Sequence, residues 1–267
     1  MSGKKHRLAK ILDKKGGKSC IIPIDHGTTL GPMEGIENSF KAISNFINGG
    51  ASAIVLHKGI LKMVSNYPEL LKTNYLMHLS VSTCLGRSQS HKVIVGNVEE
   101  AIRLGAIGIS IHTNLGGEYE TEMIKDLGRI AEECYKWEMP LLSMIYVDNE
   151  KENPQKIAHA ARLAQELGAD IVKVDYPGTI EGFKKVLNGV QIPVLIAGGG
   201  KSDNPKTFLK VVNDAMKAGA SGISAGRNIF QYEYPELLTR IICNLIEGKW
   251  ELDECFKHLN GELVKMK

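Results

Sequence analysis

Four glycine–alanine pairs recur along this chain, and each lies between a helical pattern and an apolar run. The pairs are Gly50-Ala51, Gly105-Ala106, Gly168-Ala169 and Gly219-Ala220. The apolar runs that follow them are 53–56, 107–111, 171–174 and 222–224. Glycine just after a helix takes the left-handed conformation without steric cost, and short apolar runs are typical of buried strands. The pairs therefore predict four helix-to-strand junctions.

Four more apolar runs alternate with the first four, at 20–24, 75–79, 140–146 and 193–197. Eight strands that alternate with helices, without a break in composition, favour an α/β fold of the TIM (β/α)8 barrel type. The chain has 267 residues, of which 43% are hydrophobic and 24% are charged. That size suits one barrel of about 250 residues. We therefore predict a single barrel domain over residues 1–267.

The two ends of the chain and one internal stretch are less regular. The basic start, Lys4-Lys5-His6-Arg7, is interpreted as a solvated N-terminal arm, and residues 248–267 as a C-terminal helical tail. The helical pattern is weak between residues 60 and 97, and residues 83–92 are expected to form a long loop. This loop is the part of the barrel that the pattern constrains least.

Charge and cysteine content argue against several classes of function. The chain carries 33 basic and 30 acidic residues, a net charge of +3, which does not indicate a nucleic-acid or membrane surface. No apolar stretch is long enough to span a bilayer, and no signal-peptide pattern is present. The five cysteines are scattered without a Cys-x-x-Cys pair. We therefore expect reduced thiols, a cytoplasmic location, no structural zinc and no cofactor.

Lys173 is the residue that first suggests a chemistry. It lies inside the apolar run Ile171-Val172-Lys173-Val174, and a strand that is apolar along its whole length is usually covered on both faces. A lysine there must reach a polar edge, find an anionic partner or lose its proton. A deprotonated lysine is the nucleophile of Schiff-base chemistry, whereas a protonated one would hold a carboxylate or phosphate. The strand by itself leaves both readings open.

The carboxyl ends of the strands carry the chemistry in a TIM barrel. The polar and glycine residues that this rule selects are Asp25, His26, His57, Lys58, Ser80, His112, Tyr146, Lys173, Asp175, 198–200 and Gly226-Arg227. The last two strands end in glycine-rich turns that each precede a basic residue, Lys201 or Arg227. Glycines let backbone N–H groups approach an anion closely, so these turns predict a phosphate site. The alternative is a pair of tight turns at the barrel rim.

Asp25 and Tyr146 supply acid–base groups at the same edge. A carboxylate can accept a proton, and a tyrosine beside a cationic imine can exchange protons; a paired carboxylate and a packed aromatic ring are the alternatives. His57, His78 and His112 could form a metal site with Asp25, but no His-x-His or His-x-x-x-His spacing is present, so no metal is expected. An amine, a phenol, a carboxylate and a phosphate site together are typical of a class I aldolase.

Several of these motifs resemble the archaeal-type class I aldolase family. The matching stretches are 23–27, 56–59, 111–114, 168–173, 197–199 and 226–231. The family includes fructose-bisphosphate aldolases and the synthases that join aspartate semialdehyde to a triose-phosphate unit. Residues 77–83 and 111–116 are most similar to the second branch. The resemblance implies a TIM barrel and a homo-oligomer, often a decamer built from rings of five.

The resemblance also implies roles for individual residues. Lys173 would form the Schiff base, Tyr146 would donate protons, and Asp25 would accept a proton or position the substrate. The substrate-binding residues would be His26, Gly27, Thr28, Thr29, Gly198, Gly199, Gly226 and Arg227. Asp148, which lies where this chain departs from the family pattern, is a further candidate for substrate binding.

One departure from the family pattern bears on the substrate. The family usually follows the tyrosine with Pro-Arg-Gly, whereas this chain has Val147-Asp148-Asn149. Losing an arginine that could meet a second phosphate weakens the reading as a fructose-1,6-bisphosphate aldolase. The expected reaction is the making or breaking of a carbon–carbon bond between a ketose-phosphate-derived unit and aspartate semialdehyde. The alternatives are a fructose-1,6-bisphosphate aldolase, a thiolase-like relative that acts on a phosphorylated dione, and a non-catalytic sugar-phosphate-binding protein.

Overall fold

Ten strands are present in the computed structural model, which describes residues 2–12 and 17–266. Their bounds are β1 Ser19–Pro23, β2 Ala53–Leu56, β3 Asn74–His78, β4 Ser80–Val81, β5 Val93–Ile94, β6 Gly108–Leu115, β7 Leu141–Val147, β8 Ile171–Val174, β9 Val194–Ala197 and β10 Gly222–Ser224. Eight of them form a closed barrel of parallel strands in the order β1-β10-β9-β8-β7-β6-β3-β2. Strands β4 and β5 form a separate antiparallel pair. The prediction of a TIM barrel is confirmed.

The helices lie between the strands and at both ends of the described chain. They are α1 Gly3–Ile11, α2 Gly27–Leu30, α3 Ser39–Gly49, α4 Lys58–Val64, a 3₁₀ helix Pro68–Lys72, α5 Val98–Arg103, α6 Glu120–Lys136, α7 Pro154–Glu166, α8 Ile180–Asn188, α9 Pro205–Ala218, α10 Arg227–Phe230, α11 Pro235–Ile246 and α12 Leu252–Met266. No helix among these described residues is both long enough and apolar enough to cross a membrane.

The four glycine–alanine junctions have the predicted backbone conformation. Gly50, Gly105, Gly168 and Gly219 have φ angles of 89°, 82°, 99° and 114°, in the region that residues with a Cβ rarely occupy. Each glycine ends a helix and lets the chain turn into the next strand.

Helix α1 closes the amino-terminal end of the barrel, where the sequence predicts a solvated arm. Ile11 is fully buried among barrel-interior side chains such as Leu76, and Lys4 Nζ lies 3.0 Å from Asp170 Oδ2. Lys5 and His6 are exposed, whereas Lys4 and Arg7 are partly buried and Arg7 donates to the carbonyl of Glu138. These residues belong to a helix packed on the barrel, so the prediction of an arm was wrong. Its apolar positions, which lie further along the chain, bury apolar area that an arm would leave in water.

Candidate active site

A cavity of about 850 Å³ opens at the carboxyl ends of the barrel strands. The predicted site residues that line it are Asp25, His26, Thr28, Thr29, Tyr146, Asp148, Lys173, Gly198, Gly199, Gly226 and Arg227. Gly27, also predicted to bind substrate, opens the short helix α2 instead and is not a lining residue. Lys58 points away and lies 3.2 Å from Glu100. Barrel closure thus brings together nearly all of the predicted set.

Lys173 lies on the inner face of β8, with only 8% of its surface exposed. It is in register with Met144 of β7, and its Nζ atom is 3.8 Å from Met144 Sδ. No carboxylate in the described part of the chain lies within 4 Å of this Nζ atom. Burial lowers its pKa to about 8, although Asp25 and Asp175 act in the opposite direction. A neutral amine, the form that attacks a carbonyl, is therefore accessible near neutral pH.

Tyr146 lies two residues beyond Met144, so its side chain faces the same interior, one layer nearer the mouth. Its ring packs against His112, with 4.9 Å between the ring centroids. Burial, with a smaller effect of Asp175 and Asp25, raises the pKa of the phenol well above its ordinary value. The phenol therefore keeps its proton in the free enzyme and can donate it close to the lysine.

Asp25 is held by imidazole rings at the end of β1. His78 Nε2 lies 3.4 Å from one carboxylate oxygen, and His26 Nδ1 lies 3.6 Å from the other. Burial by itself would raise the pKa of Asp25, but His78, His26 and Lys173 outweigh it and hold that pKa well below its usual range. The Asp25 side chain is therefore an ionised carboxylate in the cavity, the form that is able to accept a proton.

His78 is a neutral ring with a defined tautomer. Burial lowers its pKa to about 3, and its Nδ1 atom lies 2.6 Å from Ser110 Oγ. Because the Asp25 carboxylate can only accept, the proton is assigned to Nε2, and Nδ1 accepts from the serine hydroxyl. His78 therefore faces Asp25 as a neutral ring, with its N–H on the side of the carboxylate, rather than as a cation.

The two glycine-rich turns form one connected structure. Asn228 Nδ2 donates to the carbonyl groups of Gly198 and Gly200 at 2.6 and 2.8 Å, and Arg227 Nη2 donates to that of Gly199 at 2.9 Å. A Cβ atom on Gly226 would lie 2.7 Å from His26 Cε1. Only a glycine backbone fits at this point. The guanidinium group and the open backbone face the cavity together, as an anion site requires.

The comparisons with known proteins agree with this geometry. Residues 19–232 match the model of the DeoC/LacD family aldolases. The chain belongs to this family. The aldolase is 36% identical, over 265 residues, to 2-amino-3,7-dideoxy-D-threo-hept-6-ulosonate synthase 1 of Archaeoglobus fulgidus, covering 99% of this chain and 98% of that one. It is also 33% identical, over 251 residues, to the class 1 fructose-bisphosphate aldolase of Thermoproteus tenax. That match covers 89% of this chain and 93% of the relative.

A solved structure extends the likeness to three dimensions. A Schiff-base-forming fructose-1,6-bisphosphate aldolase, studied through its reaction intermediates, superimposes with a TM-score of 0.82 at 29% identity, covering 91% of this chain and 99% of that one. The protein is thus an aldolase of the Schiff-base class, as the sequence predicts.

Several cavity residues of the aldolase escape the sequence reasoning. The lining includes Arg87, Lys92, Asn114 and Lys151, none of which directly follows one of the predicted strands. Arg87 and Lys92 belong to the expected loop, whose flanking strands β4 and β5 carry too short a pattern to be recognised.

In the described part of the chain, no three His, Cys, Asp or Glu side chains are grouped as a metal site would require.

Proposed function

We propose that this aldolase joins a ketose-phosphate-derived donor to aspartate semialdehyde through an imine on Lys173. The donor would be dihydroxyacetone phosphate or a deoxy-ketohexose phosphate. The observation that carries the proposal is a buried lysine with a pKa of about 8 on β8, next to a protonated phenol and facing an ionised carboxylate. A site that only binds sugar phosphate has no use for a partly deprotonated amine, so this arrangement favours catalysis over binding alone.

The residues of the cavity suffice for each step. Lys173 Nζ adds to the donor ketone, whose oxygen takes up protons and leaves as water, which gives an iminium. With a deoxy-ketohexose phosphate, the iminium accepts the electron pair of the carbon–carbon bond that breaks, Asp25 takes the proton from the hydroxyl on the departing carbon, and that carbon leaves as an aldehyde. Dihydroxyacetone phosphate has no such bond to break, so Asp25 instead takes a proton from the carbon next to the iminium. Either route gives an enamine, which attacks the acceptor aldehyde; the aldehyde oxygen takes its proton from Tyr146, and water hydrolyses the product imine.

The donor phosphate is assigned to the turns after β9 and β10. The turn at 198–200 follows β9, which is next to β8 in the barrel order, and Arg227 follows β10, one strand further away. A phosphate held there leaves the ketone on the side of Lys173. The shared position of this site in many TIM barrels supports the assignment.

Asp148 is assigned to the acceptor. It lines the cavity just after β7, in the place where the family pattern has an arginine. Asn149 keeps a left-handed backbone, with φ of 59°, where the pattern has glycine, so the turn is retained while its charge is reversed. A carboxylate repels a second phosphate and attracts an ammonium group, which favours aspartate semialdehyde over glyceraldehyde 3-phosphate.

Borohydride trapping tests the proposed function. The protein is incubated with dihydroxyacetone phosphate, reduced and digested, and the modified peptide is identified by mass spectrometry. We expect a stable adduct on Lys173 and none in Lys173→Ala, whose circular dichroism should match the wild type. Ligand binding without an adduct on Lys173 would overturn the proposal and favour a sugar-phosphate-binding protein.

The cellular setting of the reaction belongs to the same proposal. The five cysteines are all free thiols, which supports a reducing, cytoplasmic location. The proposed acceptor and the similarity to 2-amino-3,7-dideoxy-D-threo-hept-6-ulosonate synthases support a role in aromatic amino acid biosynthesis. Assembly into a homo-oligomer, which the family resemblance implies, is tested by light scattering on the purified protein.

A further inference from the structure

A loop carried by β4 and β5 lies over the mouth of the barrel. Residues 87–90 and Lys92 of this loop line the cavity. The loop is fixed to the barrel by Asn114 Nδ2, which donates to the carbonyl of Ser90 at 2.7 Å. The rings of His91 and Tyr119 stack in parallel at 4.0 Å. The loop is therefore a built wall of the site.

This wall faces the proposed phosphate site across the barrel. In the closed order of eight strands, β3 lies four places from β9, and β6 lies four places from β10. The loop continues from β3 and is fastened to β6, whereas the glycine-rich turns follow β9 and β10. A substrate whose phosphate lies in those turns and whose ketone meets Lys173 therefore extends toward the loop.

Lys92 is a cation at this wall without an anionic partner. Its half-buried Nζ atom donates to Ser82 Oγ at 2.5 Å, and no described carboxylate lies within 4 Å of it. Burial lowers its pKa, and Asp25 counteracts the shift. An ammonium group has three N–H donors, so two remain to be satisfied in a cavity that is partly shielded from water.

We propose that Lys92 binds the carboxylate of the acceptor aldehyde and so determines which acceptors the enzyme takes. The inference rests on the proposed function and names its acceptor class, namely aldehydes that carry a carboxylate. Asp148 would meet the ammonium group of the same molecule from the β7 side. A phosphate would satisfy Lys92 equally well, but Asp148 would oppose it, so the two residues together favour an amino-acid aldehyde.

The test measures acceptor binding without chemistry. L-homoserine, the alcohol counterpart of aspartate semialdehyde, is titrated into the protein by calorimetry, beside 2-amino-1,4-butanediol, which lacks the carboxylate. We expect Lys92→Met to weaken homoserine binding about ten- to a hundredfold, the range for one charge-assisted hydrogen bond, and to leave diol binding unchanged. Lys92→Arg should restore most of the affinity. Ser82→Ala, which removes the hydroxyl but keeps the ammonium group, is the matched control and should bind homoserine nearly as well as the wild type.

Each other outcome would overturn the assignment of Lys92. Unchanged homoserine binding in Lys92→Met would remove the residue from the acceptor site. Equal losses for homoserine and the diol, or the same loss in Ser82→Ala, would show that the lysine only supports the loop. Glyceraldehyde 3-phosphate binding that depends more strongly on Lys92 than homoserine binding does would assign the residue to a phosphate. Borohydride trapping on Lys173 is scored separately, so failure of the imine mechanism is distinguishable from failure of the Lys92 assignment.

Discussion

His78 Nε2 lies 3.4 Å from Asp25 Oδ2, a contact that passes over β2 to join the ends of β1 and β3. His78 also meets Ser110 through Nδ1, so both ring nitrogens are engaged. His57 supports the same region, because its Nδ1 atom lies 3.1 Å from the carbonyl oxygen of His78. The ring therefore lies against the carboxylate and, together with His26 and Lys173, favours its ionised form.

We predict that His78→Leu moves the acid limb of the pH–rate profile to higher pH. The neighbouring rings hold the pKa of Asp25 below its usual range, so the carboxylate persists to low pH in the wild type. Without the imidazole N–H its pKa rises, and activity is lost earlier as the pH falls. The measurement is kcat/KM against pH, with Ser110→Ala as the milder control. An unmoved acid limb in a folded variant would show that His78 does not set the state of Asp25.

The reactivity of Lys173 should follow a pKa of about 8. With that value, roughly a tenth of the amine is free at pH 7 and half at pH 8. Because the neutral form is the nucleophile, labelling by an amine-reactive reagent should rise with pH and reach half of its maximum near pH 8. The labelling is followed peptide by peptide, with exposed Lys184 in the same digest as reference. Coincident curves for the two lysines would contradict the prediction.

Tyr146→Phe should form the imine but turn over slowly. The ring and its packing against His112 remain, whereas the proton that the phenol donates is lost. We expect kcat to fall by about 10²–10⁴, the usual effect of removing a general acid. Borohydride trapping of the donor on Lys173 should still succeed. Wild-type turnover in this variant would exclude Tyr146 from proton transfer.

Asp148→Arg should change the acceptor preference. The substitution exchanges a group that repels phosphate for one that binds it. We expect kcat/KM for glyceraldehyde 3-phosphate to rise relative to aspartate semialdehyde by about tenfold or more, since a single charge-assisted bond contributes at least that factor. Asp148→Asn, which is neutral and of similar size, is the control. Its ratio of kcat/KM values for the two acceptors should fall between those of the wild type and Asp148→Arg. A ratio that does not differ among the three proteins would place Asp148 outside the acceptor site.

The sequence pattern sufficed to predict the barrel and to place Lys173, Tyr146 and Asp25 at its mouth, where they line the cavity. Strands and helix ends are local features of the sequence. A glycine after a helix favours a left-handed backbone and a β-branched run favours an extended one, and neither preference depends on residues far away in the chain. Once eight such units are recognised, the rule that chemistry lies at the carboxyl ends of barrel strands selects Lys173, Tyr146 and Asp25. The amino-terminal helix was misread because its basic residues come first, and its burial depends on Ile11 further along.

Closure of the barrel decided which side chains and charges surround these residues. Residues 78 and 25 are 53 positions apart, and no spacing in the chain predicts that their side chains meet. The same holds for Lys92, which comes from a loop without a recognisable pattern and enters the cavity only because β4 and β5 fold the loop over the mouth. The pKa values of Lys173, Tyr146 and Asp25 depend on burial and on charges from other strands. The sequence by itself therefore determined the fold and which groups stand at the strand ends, and the tertiary structure decided their protonation and partners, because desolvation and Coulomb interactions act through space.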